Sequence, residues 1–159
     1  MIREMNAKDW ERVEAIYLQG IEKGIATFNT KSPSYEQWDR EHIDSCRLVY
    51  IDGEKVVGWV ALSPISGRCA FSGCAEMSIY IDNDFQGRGI GTELVKRLVR
   101  EAQKHGYWTI MSSVTSINSA SVALHKKCGF REIGYCERMA KDLFGNWQNV
   151  TLFELRLEN

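Results

Sequence analysis

Apolar residues recur at helical spacing in two long segments of the chain. The clearer segment starts at Thr92 and stops before Gly106, a residue type suited to the position just after a helix. Its apolar positions are Leu94, Val95, Leu98, Val99 and Ala102. The other segment follows Asn6, a capping residue, and stops at Gly24. Its apolar positions are Trp10, Val13, Ile16, Tyr17 and Ile21. Both patterns predict helices with one buried face.

Shorter apolar runs, rich in β-branched and aromatic residues, predict strands. These strands cover residues 1–5, 47–51, 55–63, 74–81, 108–114, 131–142 and 148–157. Asp52 and Gly53 lie between the second and third strands, where the glycine supplies the positive φ that a tight hairpin turn needs. Two shorter helices are predicted, one over 35–44 and one capped by Asn118 or its neighbour and ending at Gly129.

The predicted order of elements is β-α-α-β-β-β-α-β-α-β-β. The early part of the sheet is predicted to be an antiparallel meander, whereas the β-α-β unit in the middle predicts a parallel pair. The fold class is therefore α+β, with a mixed, mostly antiparallel central sheet flanked by helices, and not a doubly wound sheet.

Length and charge limit the organisation and the partners. A chain of 159 residues is long enough for one well-packed domain, which we expect to span residues 1–159. The 20 basic and 21 acidic residues leave a net charge of -1, which gives no general attraction to nucleic acid or anionic membranes.

The opening segment "MIREMNAKDW" does not resemble a signal peptide, and no apolar run approaches the ~18 residues of a membrane span. We expect a cytoplasmic protein with no nucleic-acid or membrane partner.

The five cysteines give no sign of a crosslink or a metal site. They are Cys46, Cys69, Cys74, Cys128 and Cys136, an odd number without C-x-x-C spacing. Neither a disulfide framework nor a zinc site is predicted. We expect ordinary thiols and no metal.

A glycine-rich segment, "QGRGIGT", lies where the third helix must begin. The first amides of a helix have no partner within the helix and carry a partial positive charge, so they attract anions. Gly87, Gly89 and Gly91 lack the Cβ atoms that hinder close approach, and Arg88 adds a cation. The segment predicts a site for a phosphate-bearing ligand.

Three other interpretations of this segment are less favoured. The glycines of a tight strand-to-helix turn serve geometry alone, but three of them beside an arginine favour a ligand. A nucleotide-hydrolase P-loop requires Lys before Ser or Thr, and Thr92 follows Gly91 directly. A dinucleotide-binding loop requires an acidic residue about 20 positions later, which the segment "GYWTIMSS" lacks.

The pattern of Gln86, Gly89 and Gly91 resembles the coenzyme A pyrophosphate loop of the GNAT N-acetyltransferase superfamily. A second segment, "NSASVALHKKCGF", resembles the later part of that family's domain. There Asn118, Leu124, Gly129 and Phe130 occupy the family positions. The order of elements also matches, so the resemblance implies a GNAT fold and acetyl-CoA as the cofactor.

Within the superfamily the chain resembles the phosphinothricin and methionine sulfoximine N-acetyltransferases. The similar segments are "ATFNT", "YEQW", "AEMSIYI", "SVALH" and "GNWQNV", which are spread over most of the chain. The resemblance implies acetylation of the primary amine of a small amino-acid analogue and a homodimer. The residues expected at acetyl-CoA are Ile79, Tyr80, Ile81, Gln86, Gly87, Arg88, Gly89, Ile90, Gly91, Thr92, Asn118, Ser121 and Lys127.

Acetyl transfer to an amine requires a base, because only about one amine in a thousand is unprotonated at pH 7 when its pKa is near 10. Glu76 begins the strand "EMSIYI" just before the glycine loop, and the resembled branch has a catalytic Glu there. We predict that Glu76 is the general base. His125 lies in the "LH" pair where many GNAT enzymes have Tyr, and we assign it a proton-transfer or orienting role.

The acceptor side is defined by the resemblance rather than by a motif of its own. The "ATFNT" loop implies Thr27 and Phe28 as residues that contact the substrate, and Ser78 is a further candidate. Arg68 is the candidate partner for an acceptor carboxylate, and Trp147 is expected at the site or at a dimer contact.

Two alternatives stay open. The same fold accepts other amines, such as a polyamine, an aminoglycoside or a protein N-terminus, and a cationic acceptor would favour an acidic cleft. A non-catalytic CoA-binding protein is the other alternative, and the presence of Glu76 and His125 argues against it.

Overall fold

A computed structural model describes residues 1–158 of the chain. Its helices are α1 (Trp10–Lys23), α2 (Tyr35–Glu41), α3 (Ile90–Lys104) and α4 (Ser119–Lys127). Its strands are β1 (Ile2–Glu4), β2 (Leu48–Asp52), β3 (Lys55–Pro64), β4 (Cys74–Ile81), β5 (Thr109–Thr115), β6 (Arg131–Lys141) and β7 (Trp147–Arg156). Short 3₁₀ turns cover Ala7–Asp9, Cys69–Phe71 and Asn83–Phe85. The predicted order of helices and strands is confirmed.

All seven strands form one mixed sheet in the order β1-β2-β3-β4-β5-β7-β6. The pair β4 and β5 is parallel, and the other neighbouring pairs are antiparallel. The early meander and the central parallel unit are therefore confirmed. The last two strands form a hairpin, and β7 lies between β5 and β6.

Helices cover both faces of the sheet because successive side chains of a strand point to opposite faces. On one face Leu94 and Leu98 of α3 pack in a core with Leu62 and Phe153. On the other face the core consists of residues from α1, α2, β2 and β3, among them Val13, Ile16, Trp38 and Trp59. Alternate residues of β3 thus belong to different cores.

Three helix boundaries differ from the prediction. Asn6 caps the 3₁₀ turn Ala7–Asp9 rather than α1, which begins at Trp10. The helix predicted over 35–44 ends at Glu41, because His42 is extended (φ -112°, ψ 147°) and its backbone N–H and Nδ1 both contact the carbonyl oxygen of Trp38. The third helix begins at Ile90, before the predicted Thr92, with Gly89 in the capping position. The glycine loop therefore overlaps the first turn of α3.

Among residues 1–158, none of the helices combines the length and the apolarity that crossing a bilayer requires.

Candidate active site

The site lies where β4 and β5 separate. Their pairing covers Cys74 to Glu76 on β4 and Thr109 to Met111 on β5, although both strands continue further. Beyond Glu76 the unpaired edges of the two strands leave a cleft. Two cavities meet there, one of about 660 Å³ beside the glycine loop and one of about 410 Å³ on the side of α2. We call them the cofactor cavity and the acceptor cavity.

The cofactor cavity is lined by the glycine loop, the end of β4 and the start of α4. Most of the residues predicted for acetyl-CoA line it: Ile79, Tyr80, Ile81, Gln86, Gly87, Gly89, Ile90, Gly91, Thr92, Asn118, Ser121 and Lys127. The structure thus brings together two segments that are about thirty positions apart in the sequence.

The glycine loop presents bare backbone to this cavity. Gly87 and Gly89 have φ values of 75° and 80°, and a Cβ added to either would have no atom within 4 Å. Gly89 caps α3 without any side-chain hydrogen bond to the helix. No side chain of Gly87 or Gly89 therefore covers the start of α3, and the unpartnered amides of a helix N-terminus attract anions.

Gly91 lines the cofactor cavity and also lies against α4. A Cβ at this position would lie 3.1 Å from Cδ2 of Leu124 on α4. The missing side chain therefore also allows α3 and α4 to pack closely.

The structure does not bring the Arg88 side chain to the cofactor cavity. Its guanidinium lies 4.7 Å from the centre of the Phe85 ring and donates to the backbone oxygen of Asp84 at 3.1 Å. Two lysines line the cavity instead, the predicted Lys127 and also Lys23 in the last turn of α1. Lys23 belongs to no recognisable motif, and it lies far from the glycine loop along the chain. Nothing in the sequence therefore indicated that Lys23 lies at this cavity.

The acceptor cavity shares a wall with the cofactor cavity. The residues common to both are Ala26, Ile79, Tyr80, Asn118 and Ser121. The Asn118 Oδ1 accepts from the backbone N–H of Ser121 at 3.3 Å and so caps α4. The Tyr80 hydroxyl donates to the backbone oxygen of Ala26 at 3.3 Å, and burial raises the pKa of Tyr80.

Glu76 lines the acceptor cavity at the point where β4 and β5 stop pairing. Its side chain reaches the cavity surface, yet the surrounding protein removes enough water to raise the pKa of the Glu76 carboxyl. Desolvation alone causes this shift, and no cation within the described chain offsets it. An unpaired carboxylate of raised pKa is suited to accept a proton.

His125 lies in the wall of the acceptor cavity and is only 2% exposed. Its Nδ1 is 2.6 Å from the backbone oxygen of Ser121, and its Nε2 is 2.8 Å from Oγ of Ser112. The ring also stacks on Phe153 and meets Phe130 edge on. Desolvation lowers the pKa of His125, so the imidazole is neutral near pH 7. This arrangement suits the orienting role better than direct proton transfer.

A loop after α1 forms the outer wall, and it contains the predicted Thr27 and Phe28. Asn29 Nδ2 donates to the Tyr17 hydroxyl at 2.6 Å, and the backbone N–H of Asn29 donates to Oγ1 of Thr27 at 3.1 Å. Ser78 lines the cavity from β4 as expected. Sequence reasoning missed Tyr17, Trp38, Glu41, His42, Trp59 and Ser112, which also line it.

Besides Arg88, two further predicted positions lie outside both cavities. Arg68 is exposed on the connection between β3 and β4, where it precedes the 3₁₀ turn Cys69–Phe71. Trp147 begins β7 with 55% of its surface exposed, and the ammonium group of Lys141 lies over its ring. Neither side chain contributes to the lining in this conformation.

No group of His, Cys, Asp or Glu within residues 1–158 is arranged to hold a metal ion.

Comparisons with known proteins agree with this geometry. The acetyltransferase (GNAT) family model matches residues 6–130. YwnH of Bacillus subtilis, provisionally named a phosphinothricin acetyltransferase, is 32% identical over 138 residues, which are 84% of this chain and 85% of that protein. The L-methionine sulfoximine/L-methionine sulfone acetyltransferase of Salmonella typhimurium is 29% identical over 162 residues, which are 99% of this chain and 94% of that protein. The structure of yncA from Salmonella typhimurium with its cofactor acetyl-CoA has a TM-score of 0.91 and 25% identity, and the match covers 100% of this chain and 94% of that one.

Proposed function

The chain belongs to the acetyltransferase (GNAT) family, and from this premise we propose that it moves an acetyl group from acetyl-CoA to the primary amine of a small amino-acid analogue. The analogues considered are of the phosphinothricin, methionine sulfoximine and methionine sulfone type, after the names of its relatives. The family and the fold expected from the sequence are confirmed. We propose that residues 1–159 act as one domain.

The observation that carries the proposal is the meeting of two cavities at the opening between β4 and β5. The cofactor cavity offers bare amides and Lys127 to a diphosphate, and the acceptor cavity offers Glu76 to an amine. Because they share Ile79 and Ser121 as a wall, a thioester in one lies beside an amine in the other.

The chemistry follows from this arrangement. Acetyl-CoA supplies an activated acetyl group and a thiolate that leaves. Glu76 accepts the proton that the amine nitrogen loses as the C–N bond forms, either directly or through a water molecule. Backbone N–H groups of β4 beyond Glu76 are free of β5 and are placed to stabilise the developing negative charge on the carbonyl oxygen. As the C–S bond breaks, the thiolate takes up that proton, and an acceptor that enters as an ammonium has already released its other proton through Glu76 to solvent, so the proton count balances.

We assign His125 to orienting the wall of the acceptor cavity. Its two ring nitrogens hold Ser112 of β5 and the first turn of α4 at fixed distances. That contact links the two elements that border the cleft, so His125 acts through them rather than on the substrate.

A second candidate acceptor is a cationic amine without a carboxylate. The charged residues that line the acceptor cavity are Glu41 and Glu76, and no lysine or arginine within residues 1–158 lines it. An amino-acid acceptor needs a partner for its carboxylate, and Arg68 is our candidate on the connection that follows β3. A polyamine or an aminoglycoside needs none.

Acetyl-CoA consumption distinguishes these candidates. The wild-type protein is tested with methionine sulfone, phosphinothricin, spermidine and a short peptide at equal concentrations. We expect the wild-type protein to have its largest kcat/KM with an amino-acid analogue. We expect Arg68→Ala to lower that kcat/KM without changing the KM for acetyl-CoA. A preference for spermidine that is unaffected by Arg68→Ala favours the cationic amine. Tight CoA binding without acetylation of any amine contradicts the enzymatic proposal.

We further propose that the protein is a homodimer in the cytoplasm. Met139, Phe144 and Trp147 on the β6–β7 hairpin are 59%, 69% and 55% exposed. Such apolar exposure on an edge hairpin supports a protein contact there. Acetyl-CoA as the proposed donor supports an intracellular location. Sedimentation analysis of the wild type and of Phe144→Ser tests the dimer.

A further inference from the structure

The imidazole of His42, the residue that follows α2, is held in one orientation. Its Nδ1 lies 2.7 Å from the backbone oxygen of Trp38. The ring stacks on the Trp38 indole, with ring centres 4.2 Å apart and planes at 21°, and it meets Trp59 edge on at 6.4 Å. The direction of each ring nitrogen is therefore set before a substrate binds.

The contact with the carbonyl oxygen decides which ring nitrogen carries the proton. A carbonyl oxygen can only accept, so in the neutral imidazole Nδ1 carries the hydrogen and Nε2 keeps its lone pair. Desolvation lowers the pKa of His42, and the charges of Arg47 and Glu41 act on that pKa in opposite directions. The ring is thus neutral near pH 7, and its Nε2 is a hydrogen-bond acceptor.

Nε2 of His42 is within reach of a ligand. Across residues 1–158 it has no hydrogen-bond partner, because the ring's hydrogen bond is made by Nδ1. The buried side-chain atoms that are sealed without a partner are the indole nitrogens of Trp38 and Trp59, and Nε2 is not among them. His42 is only half-buried and lines the acceptor cavity. A molecule in this cavity can therefore contact Nε2.

His42 lies at the end of the acceptor cavity that is away from the cofactor. Its neighbour Ile43 donates its backbone N–H to the oxygen of Leu62 on β3 at 2.8 Å. The wall that both cavities share comes instead from β4, the start of α4 and the loop after α1. The reacting amine must lie at that wall, because the thioester arrives there. The part of an acceptor that reaches His42 is thus its other end.

The groups around His42 indicate what this other end must offer. Glu41 also lines the cavity, whereas the guanidinium of Arg47 lies over the Trp38 ring, pairs with Asp39 and does not line it. A ligand oxygen without a hydrogen would meet the lone pair of Nε2 and lose its hydrogen bonds to water. An N–H group would instead donate to Nε2.

We propose that Nε2 of His42 accepts a hydrogen bond from an N–H group at the end of the acceptor that is remote from its reacting amine. His42 is then a residue that determines specificity, and it selects amino acids whose side chain ends in an N–H donor, such as an amide or a guanidinium. This inference rests on the proposed function, because it names the end group of the acceptor that the same cavity takes.

Nitrogen magnetic resonance tests the contact without relying on catalysis. The chain has three histidines, and their ring nitrogen signals are assigned with single His→Phe variants. Glutamine or methionine is added to the protein saturated with CoA. We expect the signal of the unprotonated Nε2 of His42 to shift with glutamine, as acceptance of a hydrogen bond produces, and to stay almost unchanged with methionine. Binding of glutamine without this shift, or no saturable binding of glutamine, overturns the inference.

Kinetics tests the selectivity with three acceptors of similar length. Glutamine ends in an N–H donor, methionine in a methyl group and glutamate in a carboxylate. We expect kcat/KM to be largest for glutamine and smallest for glutamate. His42→Phe keeps a ring that can stack on Trp38 but has no Nε2. It should lower kcat/KM for glutamine about tenfold and that for methionine less than about threefold.

Two further variants separate recognition from a structural effect. His105→Phe is the matched control, because Nδ1 of His105 lies 2.9 Å from the backbone oxygen of Glu101 at the end of α3, yet His105 lines neither cavity. It should leave the ratio of kcat/KM for glutamine to that for methionine unchanged. His42→Gln has an amide oxygen that can accept, and it should recover part of that ratio.

Arginine and citrulline show whether the end group is a cation. Both offer N–H donors and each has only its α-amine to acetylate, but only the arginine side chain is charged. Loss of kcat/KM in His42→Phe with both supports any N–H donor, and a loss confined to arginine shows that the guanidinium is required.

The outcomes distinguish this inference from the proposed function. Equal losses for glutamine and methionine in His42→Phe, or a wild-type preference for glutamate, overturn the role of His42 and leave the acetyltransferase intact. Absence of acetyl transfer to every amino acid and analogue contradicts the proposed function, and the magnetic resonance titration then still decides whether Nε2 binds an N–H group.

Discussion

Ser112 and His125 form a hydrogen-bonded pair whose direction is fixed by a third group. The Nδ1 of His125 lies 2.6 Å from a backbone carbonyl oxygen, that of Ser121, which can only accept. Nδ1 therefore carries the proton, and Nε2 accepts from the Ser112 hydroxyl at 2.8 Å. The imidazole is a neutral acceptor in the cavity wall, which ties β5 to α4.

Removing this imidazole should destabilise the protein more than removing the hydroxyl. His125→Ala leaves Ser112 unpaired and opens a space between Phe130 and Phe153, so we expect a loss of about 2–5 kcal/mol in the free energy of unfolding. Ser112→Ala should cost about 1–2 kcal/mol. Urea unfolding of both variants and of the double variant measures the coupling. Additive losses in the free energy of unfolding would show that Ser112 and His125 do not interact.

The same variant also tests the role of His125 in the reaction. Full activity of His125→Ala from pH 6 to 9 would show that His125 has no role in the reaction.

The same histidine should make folding stability depend on pH. Because desolvation holds the folded-state pKa of His125 below its ordinary 6.5, the unfolded chain binds a proton that the folded chain rejects as pH falls. Stability is thus lost below about pH 6.5, with a slope of at most about 1.4 kcal/mol per pH unit for one group. His42 acts in the same direction.

Urea unfolding at about pH 7.5 and about pH 5.5 measures this dependence, in a range above the ordinary titration of most carboxylates. We expect the stability difference between the two pH values to be smaller in His125→Gln than in the wild type. Comparison of the two proteins cancels the contributions of the other titrating groups. An unchanged difference would show that His125 is protonated equally in the folded and unfolded chains.

Local sequence patterns were enough to predict those features that depend on interactions between neighbouring residues. The glycine loop, the capping of α4 by Asn118 and the hairpin turn at Gly53 each depend on a few neighbouring residues. The parallel arrangement of β4 and β5 followed from the intervening helix, because that connection leaves few topologies. The pairing of the two segments at the cofactor cavity was predicted from the resemblance to the family, not from the order of the elements.

The acceptor cavity was harder to predict because its walls come from distant segments. Trp38 on α2 and Trp59 on β3 contact each other only in the folded chain, and neither belongs to a motif. The direction in which a side chain points was equally hard to predict from the sequence. Arg88 has the predicted position, but its guanidinium packs on Phe85, and the sequence alone does not choose between these orientations.

Glu76→Gln should lower kcat at least tenfold while the fold is unchanged, because the amide keeps the size of the side chain but accepts no proton. Since desolvation raises the pKa of the Glu76 carboxyl, the acidic limb of the wild-type kcat/KM profile should lie above the ordinary Glu value of 4.5. Initial rates across pH, with Glu54→Gln as the control on an exposed turn, measure both effects. Near-normal turnover of Glu76→Gln would reject the role of base.

Gly91 and Gly89 should respond differently to the same substitution. In Gly91→Ala the new Cβ meets Leu124 at 3.1 Å, whereas in Gly89→Ala the strain comes from the positive φ of 80° with open space around it. We expect Leu124→Ala to relieve Gly91→Ala by about 1 kcal/mol and to leave the cost of Gly89→Ala unchanged. Thermal or urea unfolding of the two double-mutant cycles measures these couplings. Equal coupling in both cycles would contradict the packing role of Gly91.

Lys127 and Arg88 carry the same charge near the glycine loop, yet only Lys127 lines the cofactor cavity. Arg88 is engaged with Phe85 and with the backbone oxygen of Asp84. Lys127→Ala should therefore raise the KM for acetyl-CoA about tenfold, as expected for loss of a charged contact to phosphate, and Arg88→Ala should raise it much less. Lys126→Ala is the matched control, since Lys126 is next to Lys127 on α4 but faces Glu132 at 4.0 Å. Steady-state kinetics at low salt gives the three KM values, and a larger effect for Arg88→Ala than for Lys127→Ala would mean that the arginine leaves Phe85 to bind the diphosphate.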